Sequence, residues 1–342
     1  MSAPRALALL LALLLAACAG GGLGSLPRAP GLAASAPQLA DDSFLAEDGA
    51  RLPLRVWRPD GKVTATILAV HGFNDYSNAF AGPAEQWARH GIATYAYDQR
   101  GFGQAPDRGY WVGARRLEAD LAIASRLVAT RHPGVPHYLL GESMGGAVIM
   151  AALAGPDRPV ADGIILSAPA VWGRTTMNVF ERVALWTTYQ VWPGLTLTGR
   201  GLHIVPSDNI AMLRALARDP LVIKETRVDA LKGLVDLMDQ ALASTPELDE
   251  PMLLLYGKRD EIIPPEPIRR MIVALPQKGA ARRRIAWYPD GYHMLLRDLD
   301  APVVLRDIES WIVDPTAPLP SGADIGADAQ IAARIAPERT PR

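Results

Sequence analysis

The stretch Tyr138–Met150, YLLGESMGGAVIM, restricts the folds open to this chain more than any other. It opens with apolar, strand-forming residues, meets Gly141, sets Ser143 between Glu142 and Met144, and runs directly into helix-forming sequence. A simple crossing from strand to helix requires no such corner. Glycines on both sides of a single serine permit a tight, strained turn that lifts the hydroxyl clear of the backbone. The GxSxG pattern reads Gly141-Glu142-Ser143-Met144-Gly145, and Gly146 lets the following helix pack closely. Such a corner needs a buried strand with a helix laid back on its sheet, which predicts the α/β class.

The rest of the chain carries the same rhythm. FLAEDGARLPLRVW reads as a hairpin around Asp48-Gly49, and ATILAVHG, ATYAYDQ, HYLLGES, DGIILSAP, PMLLLYGK and RRRIAWYP read as successive strands. Several are apolar on both faces, as strands of a parallel sheet covered on both sides must be. Helical patterns fall between them, including the stretches from Gly82 and Ala114. A doubly wound, mostly parallel sheet is the expectation. Residues 171–244 break the alternation with helical patterns and no clear strand, and read as a helical cap inserted between core segments 43–170 and 245–313.

The two ends differ from this core. Arg5, an apolar run from Ala6 to Leu15 and small residues before Cys18 have signal-peptide anatomy, and the run is too short to span a bilayer comfortably. Leu15–Cys18, LAAC, resembles the lipobox of bacterial lipoproteins. That resemblance implies removal of residues 1–17 and acylation of Cys18, the one cysteine of the chain, so that no intramolecular disulfide forms. Several acyl chains make a stable anchor, at about 0.8 kcal/mol per buried methylene. Ala19 rather than Asp follows the cysteine, which points to the periplasmic face of the outer membrane in the cell envelope. Residues 18–42 read as a flexible tether, with folding from near Ser43, and 314–342 as a loosely structured tail. The net charge of -1 offers nothing to a polyanion, and Arg282–Arg284 reads as a solvated strand end, so nucleic acid is not an expected partner.

A lone serine hydroxyl is a poor nucleophile. An imidazole must take its proton, and a carboxylate must fix the tautomer of that imidazole. In chains with an elbow of this type the order is serine, acid, histidine, and only His203 and His293 follow Ser143. His203 lies in the cap segment, whereas His293 follows a strand and a Gly-containing turn, so His293 is the candidate base. Asp260, after the apolar strand MLLLYG, is the candidate acid; Glu261 is its neighbour and competitor, and Asp290 stands too close to His293 on one loop to orient it. The N–H groups of Met144 and Phe73 are the candidate oxyanion donors. His71 precedes the serine and reads as the residue that holds the Phe73 loop.

HGFNDYS, DQRGFGQ, GESMGG, GKRDEIIP and GYHMLLRD occur in this order between Ser43 and Val313. The set resembles the monoacylglycerol lipase and lysophospholipase branch of the α/β-hydrolase superfamily. The resemblance implies a nucleophile at Ser143, an acid at Asp260, a base at His293 and oxyanion donors at Phe73 and Met144. It differs from the usual family pattern at Glu142, where histidine is common, and at the bulky Phe73.

The first half of the cap is aromatic, and Trp172, Phe180 and Trp186 are candidate substrate contacts, with Phe180, Val183, Ala184 and Trp186 close to one helical face. A serine esterase acting on monoacylglycerols or lysophospholipids, with no metal or organic cofactor, is the expectation. The alternatives are a short-chain carboxylesterase, thioesterase or peptidase on the same fold, or a non-catalytic lipoprotein that binds lipid or a protein partner.

Overall fold

A computed structural model describes residues 36–199, 201 and 204–325. Residues 1–17, expected to be a signal peptide, together with Cys18, His203 and most of the expected tether and tail, lie outside the described residues. Among those described, nine strands form one sheet in the order β1-β2-β3-β5-β4-β6-β7-β10-β11. The six central and distal strands β5 (Ile92–Tyr97), β4 (Ala65–Val70), β6 (His137–Glu142), β7 (Gly163–Ser167), β10 (Met252–Gly257) and β11 (Arg283–Tyr288) run parallel. β1 (Gln38–Leu39), β2 (Ser43–Leu45) and β3 (Arg51–Trp57) add an antiparallel edge.

Every residue of β4, β5, β6, β7 and β10 is buried, because helices cover both faces of the sheet. On one face lie α1 (Ala81–Arg89) and α8 (Ala301–Val313), which insert Trp87 and Trp311. The other face carries α2 (Ala114–Arg131) and α3 (Met144–Ala154). All but the last residue of α3 are buried, so the helix that leaves the serine corner sits in the middle of the core.

Between β7 and β10 come α4 (Val179–Val191), β8 (Thr196–Thr198), α5 (Ile210–Arg218), β9 (Glu225–Arg227) and α6 (Val228–Ser244), followed after β10 by α7 (Pro265–Ala274). Two features correct the sequence expectation here. β8 and β9 form a small antiparallel pair in a segment expected to lack strands. α6 buries Val228, Val235, Leu237, Met238 and Ala241 and packs along α3, so it belongs to the core layer as well as to the cap.

Both ends of the described chain are also tighter than expected. β1 pairs with β2 through Gln38↔Leu45 and Leu39↔Phe44, so ordered structure begins before Ser43. Residues 314–325, expected to lie loosely, return along the free edge of β11: Trp287 N–H donates to Ala323 O at 3.0 Å and Ile325 N–H to Ile285 O at 3.0 Å. Covering an edge strand in this way removes a template for unwanted pairing. Asp307, fully buried on α8, holds the return by accepting from Tyr288 Oη at 2.8 Å and from the N–H of Ser321 at 3.0 Å. No helix among the described residues is long and apolar enough to cross a membrane.

Asp307→Ala is expected to lower unfolding free energy by about 2 kcal/mol, since it leaves buried donors unpaired. Urea denaturation measures the loss, and limited proteolysis should show faster cleavage beyond Val313.

Candidate active site

The corner predicted from the sequence is present and strained. Ser143 has φ 52° and ψ −115°, a conformation that L-residues rarely adopt, between the last residue of β6 and the first of α3. Its N–H donates to Ser167 O at 2.9 Å and its carbonyl accepts from Ala170 N–H at 2.9 Å, so the end of β7 and the segment just after it hold the turn from both sides. Two glycines are required by contact. A Cβ on Gly145 would stand 1.9 Å from Val70 O, and one on Gly141 would stand 2.4 Å from Gly146 N.

His293 follows β11, and its Nδ1 lies 2.8 Å from Asp260 Oδ2. Asp260 Oδ1 accepts the N–H groups of Ile262 at 2.8 Å and Ile263 at 2.9 Å, which fixes the carboxylate plane. Both side chains are buried. Burial pulls the pKa of His293 down, but the charge and hydrogen bond of Asp260 outweigh it and leave the imidazole above its ordinary value. Glu261 points elsewhere, accepting the N–H of Val205 at 2.7 Å, and Asp290 pairs with Arg259 at the surface.

The loop after β4 brings Phe73 to the same place. Buried His71 accepts the N–H of Gln99 on Nε2 at 3.0 Å and so donates from Nδ1 to Gly72 O at 2.8 Å. Burial holds this imidazole below its usual pKa, in the neutral form that the two bonds require. Asn74 turns the loop with φ 66°. The Phe73 N–H has no hydrogen-bond partner among the described residues, and the ring packs edge-on to Phe102 at 5.5 Å. Met144, next to the serine, opens α3, where the first N–H groups of a helix lack intrahelical acceptors.

Ser143, His293 and Phe73 line one cavity of about 720 Å³ beneath the cap, with Asp260 behind the imidazole. Its walls are apolar: Leu231, Leu234, Val235 and Met238 of α6, Ile262 and Ile263 after β10, and Trp172 at the cap entry. α4 contributes Glu181, Ala184, Leu185 and Thr188, one stripe at helical spacing. Here the expectation for Phe180 and Trp186 is corrected. They lie on the opposite face of α4, 82% and 64% exposed, with Val183 beside them at 56%. A helix apolar on two faces does not declare which face turns inward. The smaller side chains face the cavity, where large rings would fill the space.

One end of the cavity is charged. Buried Arg297 donates from Nη1 to Asp75 and from Nη2 to Glu142, each at 2.8 Å. Neither Asp75 nor Arg297 stands out in the sequence, because nothing local links positions so far apart. A strap, residues 205–209, crosses the outside of this region. Besides the Val205 bond to Glu261, Met294 N–H donates to Pro206 O, Ser207 Oγ to Asp298, Asn209 Nδ2 to Arg297 O and Leu299 N–H to Asp208. No group of three or more His, Cys, Asp or Glu among the described residues forms a metal site.

Comparison with known proteins agrees with this architecture. Residues 61–300, well over half of the chain, match the Hydrolase_4 family, described as serine aminopeptidase, S33. A monoacylglycerol lipase of Mycolicibacterium smegmatis is 26% identical over 281 residues, covering 80% of this chain and 97% of the relative. The human monoglyceride lipase is 27% identical over 282 residues, covering 79% and 89%. Among solved structures, a soluble variant of the Saccharomyces cerevisiae monoglyceride lipase in complex with a substrate analogue superposes with a TM-score of 0.67 at 20% identity, covering 85% of this chain and 100% of the other. The Paleococcus ferrophilus monoacylglycerol lipase gives 0.62 at 23% identity, with 77% and 99% covered. With its elbow, its sheet order and a family match that spans both halves of the core, the chain belongs to the Hydrolase_4 family and has the α/β-hydrolase fold.

Proposed function

We propose that the protein is a serine esterase that hydrolyses monoacylglycerols or lysophospholipids, and that Ser143, His293 and Asp260 carry the reaction. One observation supports this above the rest: a strained serine opens, beside a buried His–Asp pair, onto a large apolar cavity. Ser143 Oγ attacks the ester carbonyl while His293 Nε2 takes its proton. Asp260 holds Nδ1–H and stabilises the imidazolium. The N–H groups of Phe73 and Met144 receive the developing oxyanion. The imidazolium then protonates the leaving alcohol, and water, activated by the same imidazole, releases the acid from Ser143. The acyl chain lies along the α4 and α6 walls.

The exposed Phe180, Val183 and Trp186 give α4 an outer apolar face that suits contact with lipid. An outer face of this kind fits the reading of Cys18 as a lipidated anchor in the cell envelope, which would keep the cavity mouth near a membrane-borne substrate.

Four outcomes test the proposal. Against p-nitrophenyl esters of increasing length, kcat/KM should rise by up to about fourfold per methylene until the cavity is filled, with Ser143→Ala inactive. 1-Monoacylglycerol and lysophosphatidylcholine should both be cleaved and an aminoacyl p-nitroanilide should not; activity confined to the shortest esters or to the anilide would sink the lipid assignment. Asp260→Asn is expected to lower kcat by about 10⁴-fold, whereas Glu261→Gln and Asp290→Asn should stay within about threefold of the parent. Finally, the base must be neutral to act and its pKa is raised. The acid limb of kcat/KM should therefore lie above the ordinary imidazole value of about 6.5, with activity lost as pH falls through it.

A further inference from the structure

Arg297, Asp75 and Glu142 come from three separate segments of the site. Asp75 is on the loop after β4 that carries Phe73, Glu142 directly precedes Ser143, and Arg297 is four residues beyond His293. All three side chains are less than a tenth exposed. Asp75 divides its carboxylate, Oδ1 accepting the N–H of Tyr76 at 2.9 Å and Oδ2 accepting from Arg297. Burial opposes the charge on Arg297, but the two carboxylates outweigh it and keep the guanidinium ionised.

The cluster is a poor device for stability. Its two carboxylates and one cation leave a net charge of about -1 in the interior, and buried ion pairs seldom outperform an apolar replacement of the same volume. Glu142 Oε2 and Arg297 Nε are buried with no hydrogen-bond partner. Groups left in that condition need an explanation other than packing. Position supplies one. The planar guanidinium offers two donors in a fixed fork, which a single cation on a flexible stem does not reproduce.

Building on the assignment of Ser143 and His293 above, we infer that Arg297 is a positioning residue. It pins the oxyanion loop, the nucleophile corner and the histidine loop to one another through Asp75 and Glu142, and Glu142 supplies a negative charge that favours the protonated form of His293. Of the charged groups in this region, Asp260 from the loop after β10 is bonded to the imidazole, Glu142 from the corner, Asp75 from the loop after β4 and Arg297 line the same cavity as His293, and Asp298 lies on the histidine's own loop. Glu142 acts on the imidazole in the same direction as Asp260, and Arg297 acts in the opposite one. Asp298 accepts from Ser207 Oγ and from the N–H of Tyr292.

The test uses the full chain, a short soluble p-nitrophenyl ester, and the variants Glu142→Gln, Arg297→Lys and Ser143→Ala. Glu142→Gln keeps the shape and the acceptor for Arg297 and removes only the charge. Its acid limb of kcat/KM is expected about 0.5 pH units lower, because the imidazolium loses a favourable neighbour. Arg297→Lys keeps the charge and loses the fork. Its limb should stay in place, while kcat falls about tenfold with KM changed less than about threefold. A cluster that merely stabilises the fold would shift the thermal midpoint and leave the limb alone. Ser143→Ala without activity, combined with a Glu142→Gln limb at the parent position or a parental kcat in Arg297→Lys, overturns the inference alone. An active Ser143→Ala overturns the underlying assignment and the inference with it. Glu142→Gln preserves every bond of the network, so it decides the question of charge even if Arg297→Lys fails to fold.

Discussion

The backbone of Ser143 is the constraint on which the rest of the site rests. A serine at φ 52° is unfavourable in isolation, and it persists because the surroundings over-determine it. The end of β7 grips its N–H and the segment just after that strand its carbonyl, and two glycines let α3 approach β4 and β6 more closely than any side chain allows. That requirement propagates outward. α3 must be almost wholly buried, so α2 and α6 must cover it, and α6 can do so only by coming back from the insertion. The cavity wall is thereby built from a helix that the core already needs.

Around this corner the groups of the site are fixed by their second partners. Asp260 is aligned by two backbone N–H groups before it meets His293, and His71 is held in one tautomer by Gln99 and Gly72. Each bond removes a freedom that the chemistry otherwise has to restrict during reaction. The apolar walls exclude water, and in that setting fixed dipoles and charges act more strongly than they do in solution.

The parallel strands were legible because a sheet covered on both faces leaves short, continuous apolar runs that turn residues bound sharply. The corner was legible because glycine spacing around a serine has few other uses. Asp260 and His293 followed from their places after β10 and β11. What escaped has a physical reason in each case. β8 and β9 are three residues each and largely exposed, so no alternation marks them. β1 pairs through backbone bonds, and the return along β11 is held by two backbone bonds and by side chains distant in sequence such as Asp307 and Arg284, neither of which leaves a local pattern. α4 is apolar on two sides, and only the packed structure shows that Ala184 and Leu185 face the cavity while Phe180 and Trp186 face out. Arg297 finds its partners across distances in sequence that no local pattern spans.

The strap of residues 205–209 gives the insertion two mechanical characters. It is bonded to Glu261 beside Asp260, to the backbone of Met294 beside His293, and to Asp298 and Leu299 beyond. Its tie to the machinery is thus as close as that of any core loop, whereas α4 buries no residue of its own. None of the bonds that hold the His–Asp pair comes from α4. The insertion is therefore frame and panel drawn from one continuous segment: the strap is built into the site, whereas α4 only roofs the space in front of it.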